Sequence, residues 1–379
     1  MIFDKMRILI NAFSAKLGGG QTYIKNLLNN IPNRDDLEIY IYCPDSLVLP
    51  ESTKLKKLST SWPTDNPFSR SIWERFILPC ILKKYGIDIL FCPGGVVNTK
   101  KPSGCKVVTM FRNMMPFDDE LISTMKWDLH RLKLALLKKA MLNSMSRADL
   151  TIFISNFARA HIEKYIKIRN GVTIPHGINK DFLLQKIPLD RPKEAPQKKY
   201  ILYVSRFEIY KHHREVVAAY ASLPLSLRSQ YPLVLVGETN MPEAEFIREL
   251  IKRENLQNDI LLIGGVDYKN IPAWNQNAHV IVFASSCENC PNILLESLAS
   301  GRPVVSSNIM PMPEFGGDEI LYFSPHSPDS LREKLEEILS DNTLLENVSK
   351  SSYERSSAYR WSGTAEKTWN SIFDLAEVN

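Results

Sequence analysis

The chain has 379 residues, of which 44% are hydrophobic and 23% charged. These values exclude an intrinsically disordered chain, a collagen-like fibre and a disulfide-stapled miniprotein, and the length suggests two domains with separate cores. The net charge of +5 is unevenly distributed, because residues 1–190 carry 28 Lys and Arg against 17 Asp and Glu (+11), whereas residues 191–379 carry 19 against 25 (−6).

The first half alternates strand-like runs with helical patterns. A buried strand is predicted at 7–13, followed by three glycines and an amphipathic helix. Further strands are predicted at 37–43, 87–92, 105–111 and 148–155, with a helix from about 123 to 146 before the last of them. This alternation predicts βαβ units around a parallel sheet.

The stretch 185–199 contains three prolines and no apolar periodicity, which indicates an interdomain linker. Alternation then restarts, with strands predicted at 200–205, 231–237, 259–265, 279–285 and 303–308, and helices near 211–222, 242–254 and 291–300. We therefore predict an α/β protein with two Rossmann-like domains, residues 1–186 and 187–358. Since parallel sheets bind ligands at the carboxyl ends of their strands, we expect the two sheets to face each other across a central cleft.

The glycine loop is the first candidate site. Gly18, Gly19 and Gly20 follow the first predicted strand and begin a helix. Glycine lets the backbone approach a ligand, and a helix N-terminus attracts anions, so a diphosphate is a natural ligand. The loop matches neither the dinucleotide-binding fingerprint nor the Walker loop, and the alternative is a plain tight turn.

Two cations follow the first predicted strand of the second half. Arg206 and Lys211 lie just beyond residues 200–205, where a ligand would bind. Their charges can neutralise a leaving diphosphate, a role that metal ions fill elsewhere. The alternative is that both side chains are solvated loop residues.

The segment after the fourth predicted strand of this half is the most specific. Glu288 lies in a loop that is expected to reach the cleft, and Glu296 lies within the following helix. The backbone of Asn292, Ile293 and Leu294 offers N–H groups at the helix start, which predicts a second anion site. Glu296 is placed to bind hydroxyls such as those of a ribose, and surface glutamates that cap a helix are the alternative.

Several other chemistries are disfavoured. Eight residues of helix would separate Glu288 and Glu296 by about 12 Å, more than the roughly 5–9.5 Å of glycosidase carboxylate pairs. The sequence has no Asp-x-Asp, GxSxG or HExxH motif, so no metal site is expected. Cys287 and Cys290 form a CxxC without a second ligand pair, which favours two incidental reduced thiols over metal or redox use.

The location and partners are predicted from patterns of charge and hydropathy. No leader-like or membrane-spanning run is visible, which predicts a cytoplasmic protein. Segment 126–147 combines Lys and Arg with Leu and Met, which indicates either a helix on anionic lipid or a core helix with a solvated basic face. An anionic membrane surface, at the cytoplasmic face of the inner membrane, is therefore one candidate partner. Nucleic acid is not expected, because no nucleic-acid-binding motif occurs.

Taken together, these motifs resemble the retaining glycosyltransferases of family 4, which have the GT-B fold. The resemblance rests on Arg206 with Lys211, the Glu-x7-Glu spacing of Glu288 and Glu296, and the glycine loop. Further similar segments are ADLTIFISNFARAHI (148–162), IPHGIN (174–179), the stretch that begins with MPEFGG, and AYRWSGTAEKTW (358–369).

The resemblance implies transfer of a sugar from a nucleotide-diphosphate sugar to a glycan or lipid-linked acceptor in cell-surface polysaccharide biosynthesis (lipopolysaccharide, O-antigen or capsule). The anomeric configuration would be retained, with no metal and no other cofactor, and the leaving phosphate would itself take the acceptor proton. A terminal helix, about 359–379, would pack back on the first, acceptor-binding domain.

The resemblance also implies roles for single residues. Arg206 and Lys211 would hold the donor diphosphate, Glu288 would contact the donor sugar and Glu296 the ribose. The residues that would approach the phosphate or sugar through backbone are Asn292, Ile293 and Leu294 in the second domain and Gly19 and Gly20 in the first.

One segment departs from the family. Many relatives have a His-Asp pair followed two residues later by Pro after the strand that matches 105–111, whereas this chain has Arg112 and Asn113 before Met114-Met115-Pro116. Either these two residues take over the contact with sugar or acceptor, or the chain belongs to a subgroup with another donor. The identity of the sugar stays open on this evidence.

Two other functions are compatible with the sequence. A nucleotide-sugar epimerase or hydrolase on the same fold would release nucleotide without an acceptor. A non-enzymatic glycan- or nucleotide-binding protein would keep the fold with a vestigial site. The intact pairs Arg206–Lys211 and Glu288–Glu296 favour the transferase.

Overall fold

The chain forms two compact units in a computed structural model that describes residues 5–16, 18–185, 187–318 and 320–377. The first unit comprises Met1–Gly177 and Trp361–Asn379, and the second comprises Ile178–Arg360. Each unit is built on one parallel sheet with helices in the connections, as the alternating pattern predicts.

The strands of the first unit are β1 (Met6–Asn11), β2 (Leu37–Tyr42), β3 (Leu55–Lys57), β4 (Ile89–Cys92), β5 (Lys106–Phe111), β6 (Leu150–Phe153) and β7 (Gly171–Thr173). Those of the second are β8 (Ile201–Val204), β9 (Leu233–Val236), β10 (Ile260–Gly264), β11 (Val280–Phe283), β12 (Val304–Ser307) and β13 (Leu321–Phe323). The strand orders are β3-β2-β1-β4-β5-β6-β7 and β10-β9-β8-β11-β12-β13. The central strands are apolar on both faces and buried, as helix-covered parallel sheets require.

The helices of the first unit before the linker are α1 (Gly19–Asn29), α2 (Pro67–Phe76), α3 (Leu78–Tyr85), α4 (Asp119–Thr124), α5 (Leu129–Arg147) and α6 (Asn156–Glu163). Those of the second unit are α7 (His213–Ala221), α8 (Leu225–Arg228), α9 (Pro242–Arg253), α10 (Ile271–Asn277), α11 (Asn292–Ala299), α12 (Met312–Gly316), α13 (Pro328–Ser340) and α14 (Asn342–Ser356). The last helix is α15 (Trp361–Glu377). Among the residues described, every helix is too short or too polar to cross a bilayer.

The single helix predicted at 123–146 is wrong, because the structure has two helices, α4 and α5, with a break between them. The side chain of Asp128 accepts a hydrogen bond from the backbone N–H of Arg131 at 2.9 Å and so caps the start of α5. Aspartate at this position satisfies an N–H group that would otherwise lack a partner, which favours a new helix start over continuation.

The final helix, α15, belongs to the first unit and packs on α1. The hydroxyls of Tyr23 and Thr368 lie 3.3 Å apart, and the Trp369 indole N–H donates to the carbonyl of Leu27 at 3.2 Å. Trp369 is fully buried. The chain therefore completes the core of its first unit only after the second unit has been made.

Both strand orders change direction at one point, between β1 and β4 in the first sheet and between β8 and β11 in the second. In open α/β sheets, ligands bind at the carboxyl ends of the strands beside this point. The loop after β1 holds the three glycines, the loop after β8 holds Arg206 and Lys211, and the loop after β11 holds Glu288. The topology thus positions these motifs for ligand binding within each unit.

A tight backbone contact supports the loop that carries Arg206. A Cβ atom on Gly237, just after β9, would lie 1.9 Å from the backbone oxygen of Ser205. We expect Gly237→Ala to lower the free energy of unfolding by about 1–3 kcal/mol, the usual cost of overpacking. Urea unfolding checks this, with Gly363→Ala as the control, because a Cβ there meets nothing within 4 Å. Equal stability of the two variants would contradict the prediction.

Candidate active site

The structure brings Lys211 and Glu288 together in the second unit. Lys211 is 7% exposed, and its ammonium group donates a hydrogen bond to Glu288 Oε1. The same ammonium group lies 5.1 Å from the ring centre of Tyr210 and 5.8 Å from that of Phe283, at the end of β11. A carboxylate and two aromatic rings therefore hold this cation in place.

The backbone around Lys211 is fixed by both neighbouring loops. The Tyr203 hydroxyl donates to the carbonyl of Lys211 at 2.7 Å. The next residue, His212, has left-handed backbone angles (φ 53°, ψ 37°), and its Nε2 lies 2.9 Å from the Ser286 hydroxyl. The Ser286 N–H donates to the carbonyl of Tyr210 at 2.9 Å. These contacts tie the loop after β8 to the loop after β11.

His213 follows in the chain but is a packing residue. It is 1% exposed, and its ring stacks on Phe207 at 4.2 Å and on Tyr203 at 4.8 Å. Burial, with the nearby charge of Lys211, lowers the pKa of His213 to about 3. The imidazole is therefore neutral at physiological pH and does not supply a charge to the site.

Arg206 extends from the same loop as Lys211 but is held loosely. Its side chain is 63% exposed, with Nη1 3.5 Å from Glu208 Oε1 and Nη2 3.9 Å from the Met241 sulfur. An exposed ion pair of this kind contributes little to stability. The guanidinium is accordingly able to reorient toward an anionic ligand at little cost.

Glu296 lies in α11 and is engaged by different groups from those that hold Glu288. Its carboxyl group accepts a hydrogen bond from the Tyr268 hydroxyl, which in turn accepts from Asn179 Nδ2 at 3.0 Å. The Tyr268 ring packs 5.0 Å from Phe182. Burial raises the pKa of Glu296 to about 8, and the bond from Tyr268 offsets part of this shift. Glu296 is therefore largely protonated at neutral pH.

The start of α11 presents backbone rather than side chains. Pro291 precedes the helix and has no side-chain acceptor to cap it, and the N–H of Asn292 donates to the carbonyl of Cys290 at 2.9 Å. Ile293 follows, and Leu294 is fully buried, so any ligand would meet Leu294 through its backbone. This geometry matches the type of contact predicted for these residues.

In the first unit, Arg112 lies against the glycine loop. α1 begins at Gly19, and a Cβ atom on Gly20 would lie 3.0 Å from Arg112 Nη2 and 3.3 Å from the Cα of Ala15. The guanidinium carbon lies 5.9 Å from the ring centre of Tyr23, and burial lowers the pKa of Arg112. The absence of a side chain at Gly20 therefore allows a cation to approach the helix start.

Asn113 has a local structural contact instead. Its side-chain oxygen accepts a hydrogen bond from the N–H of Met115 at 3.1 Å, and the residue is exposed. Of the two residues that stand where relatives have His-Asp, the structure thus places Arg112 beside the glycines and uses Asn113 to close a turn.

The CxxC motif and Tyr268 complete the description of the site. Cys287 is a half-buried thiol and Cys290 a buried one, and the described ranges contain no group of three or more His, Cys, Asp or Glu placed to hold a metal. Sequence reasoning missed Tyr268, which lies in a turn between β10 and α10 and belongs to no recognisable motif. Only the fold shows that it binds Glu296.

Comparison with known proteins gives the family. Residues 17–182 match "Glycosyltransferase Family 4", and residues 187–355 match "Glycosyl transferases group 1". The chain is a member of glycosyltransferase family 4. The two matched regions leave only short segments of this glycosyltransferase uncovered, so both units belong to the family and the predicted resemblance is confirmed.

Two curated relatives carry descriptions of activity. The O-antigen chain mannosyltransferase B of Escherichia coli is 25% identical over 240 residues, which are 62% of this chain and 63% of that protein. N-acetylgalactosamine-N,N'-diacetylbacillosaminyl-diphospho-undecaprenol 4-alpha-N-acetylgalactosaminyltransferase of Campylobacter jejuni is 30% identical over 169 residues, 44% of each chain. The glycosyltransferase thus spans less than two thirds of the length of either relative.

The fold also matches solved structures over nearly the whole chain. Sucrose-phosphate synthase from Thermosynechococcus elongatus superposes with a TM-score of 0.76 at 18% identity and covers 99% of this chain and 100% of its own. WaaG, a glycosyltransferase involved in lipopolysaccharide biosynthesis, gives 0.73 at 15% identity, covering 97% and 99%. The predicted GT-B fold, with two Rossmann-like domains, is confirmed.

Proposed function

We propose that this glycosyltransferase transfers a sugar from a nucleotide-diphosphate sugar to a glycan or lipid-linked acceptor in the biosynthesis of lipopolysaccharide, O-antigen or capsule. The reaction retains the anomeric configuration and uses no divalent metal. The observation that supports this most is the Lys211 ammonium group, fixed by Glu288 at the carboxyl ends of β8 and β11.

The cations act on the leaving group. As the bond from the anomeric carbon to the phosphate oxygen breaks, negative charge develops on the diphosphate, and a preorganised cation stabilises it. Lys211 is preorganised by Glu288 and Tyr203, whereas the exposed Arg206 closes on the diphosphate after binding. Glu288 binds hydroxyls of the donor sugar while it orients Lys211.

Nucleotide and proton are handled separately. Glu296, supported by Tyr268, binds the ribose hydroxyls, and the backbone at the start of α11 contacts phosphate or sugar. The acceptor hydroxyl forms its bond to the anomeric carbon on the face that the phosphate leaves, and its proton passes to a phosphate oxygen. This step needs no separate base, which agrees with a buried, neutral His213 beside Lys211.

The relatives suggest which substrates to test first. One is named as an O-antigen mannosyltransferase, and the name of the other contains a diphospho-undecaprenol acceptor. Mannose is therefore the first donor sugar to test, and a saccharide on a lipid diphosphate is the first acceptor to test.

A thermal-shift panel of UDP, GDP and their sugars tests the proposal. A ligand present at 100 times its dissociation constant stabilises the folded state by about 2.7 kcal/mol, which is readily seen. The donor that binds is then supplied with acceptor in EDTA, and the anomeric configuration of the product is read by NMR. Nucleotide release that is equally fast without acceptor would indicate an epimerase or hydrolase, and activity lost in EDTA would contradict metal independence.

We also propose that the protein binds the cytoplasmic face of the inner membrane peripherally. In α5 the buried apolar residues, such as Met141 and Met145, face the core, while Leu129 and Leu132 are 74% and 57% exposed among Lys and Arg. We expect flotation with anionic vesicles at low salt, and little with zwitterionic ones or at high salt. No flotation with anionic vesicles at low salt would exclude this membrane contact.

A further inference from the structure

A pocket of about 530 Å³ lies in the first unit, at the carboxyl ends of β1 and β4. The last residues of these strands, Asn11 and Cys92, line it, together with Ser14 and Gly94 from the loops that follow. This is the point where the strand order of the first sheet changes direction. Because such positions bind ligands in α/β proteins, the pocket is a candidate substrate site.

A buried carboxylate forms the floor of the pocket. Glu74, on α2, is 7% exposed and accepts hydrogen bonds from Asn11 Nδ2 at 2.9 Å and from Asn98 Nδ2 at 3.3 Å. Arg70 Nε lies 3.9 Å from the same carboxyl group. A carboxylate with side-chain amides and a guanidinium offers both acceptors and donors, which is the set that binds the hydroxyls of a sugar.

The walls of the pocket are apolar and open to solvent. Phe68 and Leu136 line it, although they are 75% and 60% exposed, and Leu137 and Ala140 lie beside them. An exposed aromatic ring above a polar floor suits a sugar, which has an apolar face of C–H groups and a rim of hydroxyls.

An apolar strip leads away from the pocket along α5. Leu129, Leu132 and Leu136 lie three and four residues apart, so they share one face of the helix over about 10 Å. All three are more than half exposed, and Trp127, 88% exposed, precedes them. Lys133 lies between strip and pocket and lines the pocket. The order of features is therefore polar floor, cation and apolar strip.

This order matches one kind of ligand. We propose that the pocket binds the saccharide of a lipid-linked acceptor, with its phosphate near Lys133 and its hydrocarbon chain along Leu129, Leu132 and Leu136. The proposal rests on the proposed function, since it names the acceptor class of the same enzyme, but it assigns a site that none of the sequence motifs contains.

Alkyl mannosides of two tail lengths test the site without the donor. Octyl α-mannoside, used below its micelle concentration, is expected to bind the full chain about tenfold tighter than methyl α-mannoside, a difference of about 1.4 kcal/mol. The double variant Leu132→Ser with Leu136→Ser is expected to reduce this ratio to less than about twofold. Titration calorimetry or saturation-transfer NMR measures both affinities.

Two matched variants complete the experiment. Leu225→Ser, at a leucine of the second unit that is 68% exposed, should keep the tenfold ratio. Asn98→Ala, which removes a donor to Glu74, should weaken both mannosides equally, and its melting temperature shows whether the fold is kept.

Several outcomes would overturn the assignment. Equal affinity for the two mannosides, no binding of either, or an unchanged ratio in the double serine variant each contradicts it. A double variant that loses vesicle flotation but keeps the ratio would show that the strip contacts the bilayer alone. These results leave the proposed function standing, because donor binding and transfer are measured separately.

Discussion

Lys211→Ala is expected to lower kcat/KM for sugar transfer by about 10²–10³, the effect of losing one preorganised group that stabilises developing charge. The ammonium group is buried, held by Glu288 and backed by two aromatic rings, so neither solvent nor a mobile side chain replaces it. Steady-state kinetics with saturating acceptor measures the change.

The control for this variant is Lys269→Ala, because that lysine also lies in the second unit but is 78% exposed. We expect the control to keep full activity. Removal of Lys211 leaves the Glu288 carboxylate without its cation, so the melting temperature is measured as well, and a folded Lys211→Ala protein with wild-type activity would contradict the assigned role.

Glu296→Ala is expected to reduce transfer at pH 7 about ten- to a hundredfold, the cost of a lost hydrogen bond in a buried site. Glu296→Gln should be milder, because the carboxyl group has its pKa raised to about 8 and is largely protonated at this pH, as an amide resembles. Equal loss in both variants would contradict a protonated Glu296.

The same shift predicts a dependence of stability on pH. A carboxyl pKa of about 8 in the folded protein, against 4.5 in the ordinary state, means that the folded state holds a proton that the unfolded state releases. The contribution of Glu296 to stability is therefore present below about pH 4.5 and is lost as the pH rises toward 8. Glu296→Gln should become more stable relative to wild type over this range, and a constant difference in unfolding free energy would count against the shift.

Local patterns predicted most of the fold, because each half repeats short apolar strands between helices. The ten predicted strands are all present, whereas β3, β7 and β13 were missed, since each has only three residues and carries no clear alternation. The break between α4 and α5 was also missed, although Asp128 is a favourable start for a helix.

The candidate site was only partly predictable. Strand ends located Arg206, Lys211 and Glu288 near ligand-binding loops, but the ion pair of Lys211 with Glu288 depends on β8 lying beside β11, 77 residues apart in sequence at the contact. Tyr268 and Glu74 carry no local signal, because each acquires its partner only when distant elements pack. The position of Arg112 beside Gly20 has the same origin.

A crystal structure with bound UDP or GDP tests the central claim most directly. The account predicts the diphosphate within hydrogen-bonding distance of Lys211 Nζ, with Arg206 turned from Glu208 toward the same phosphates. A diphosphate bound away from both cations would contradict it.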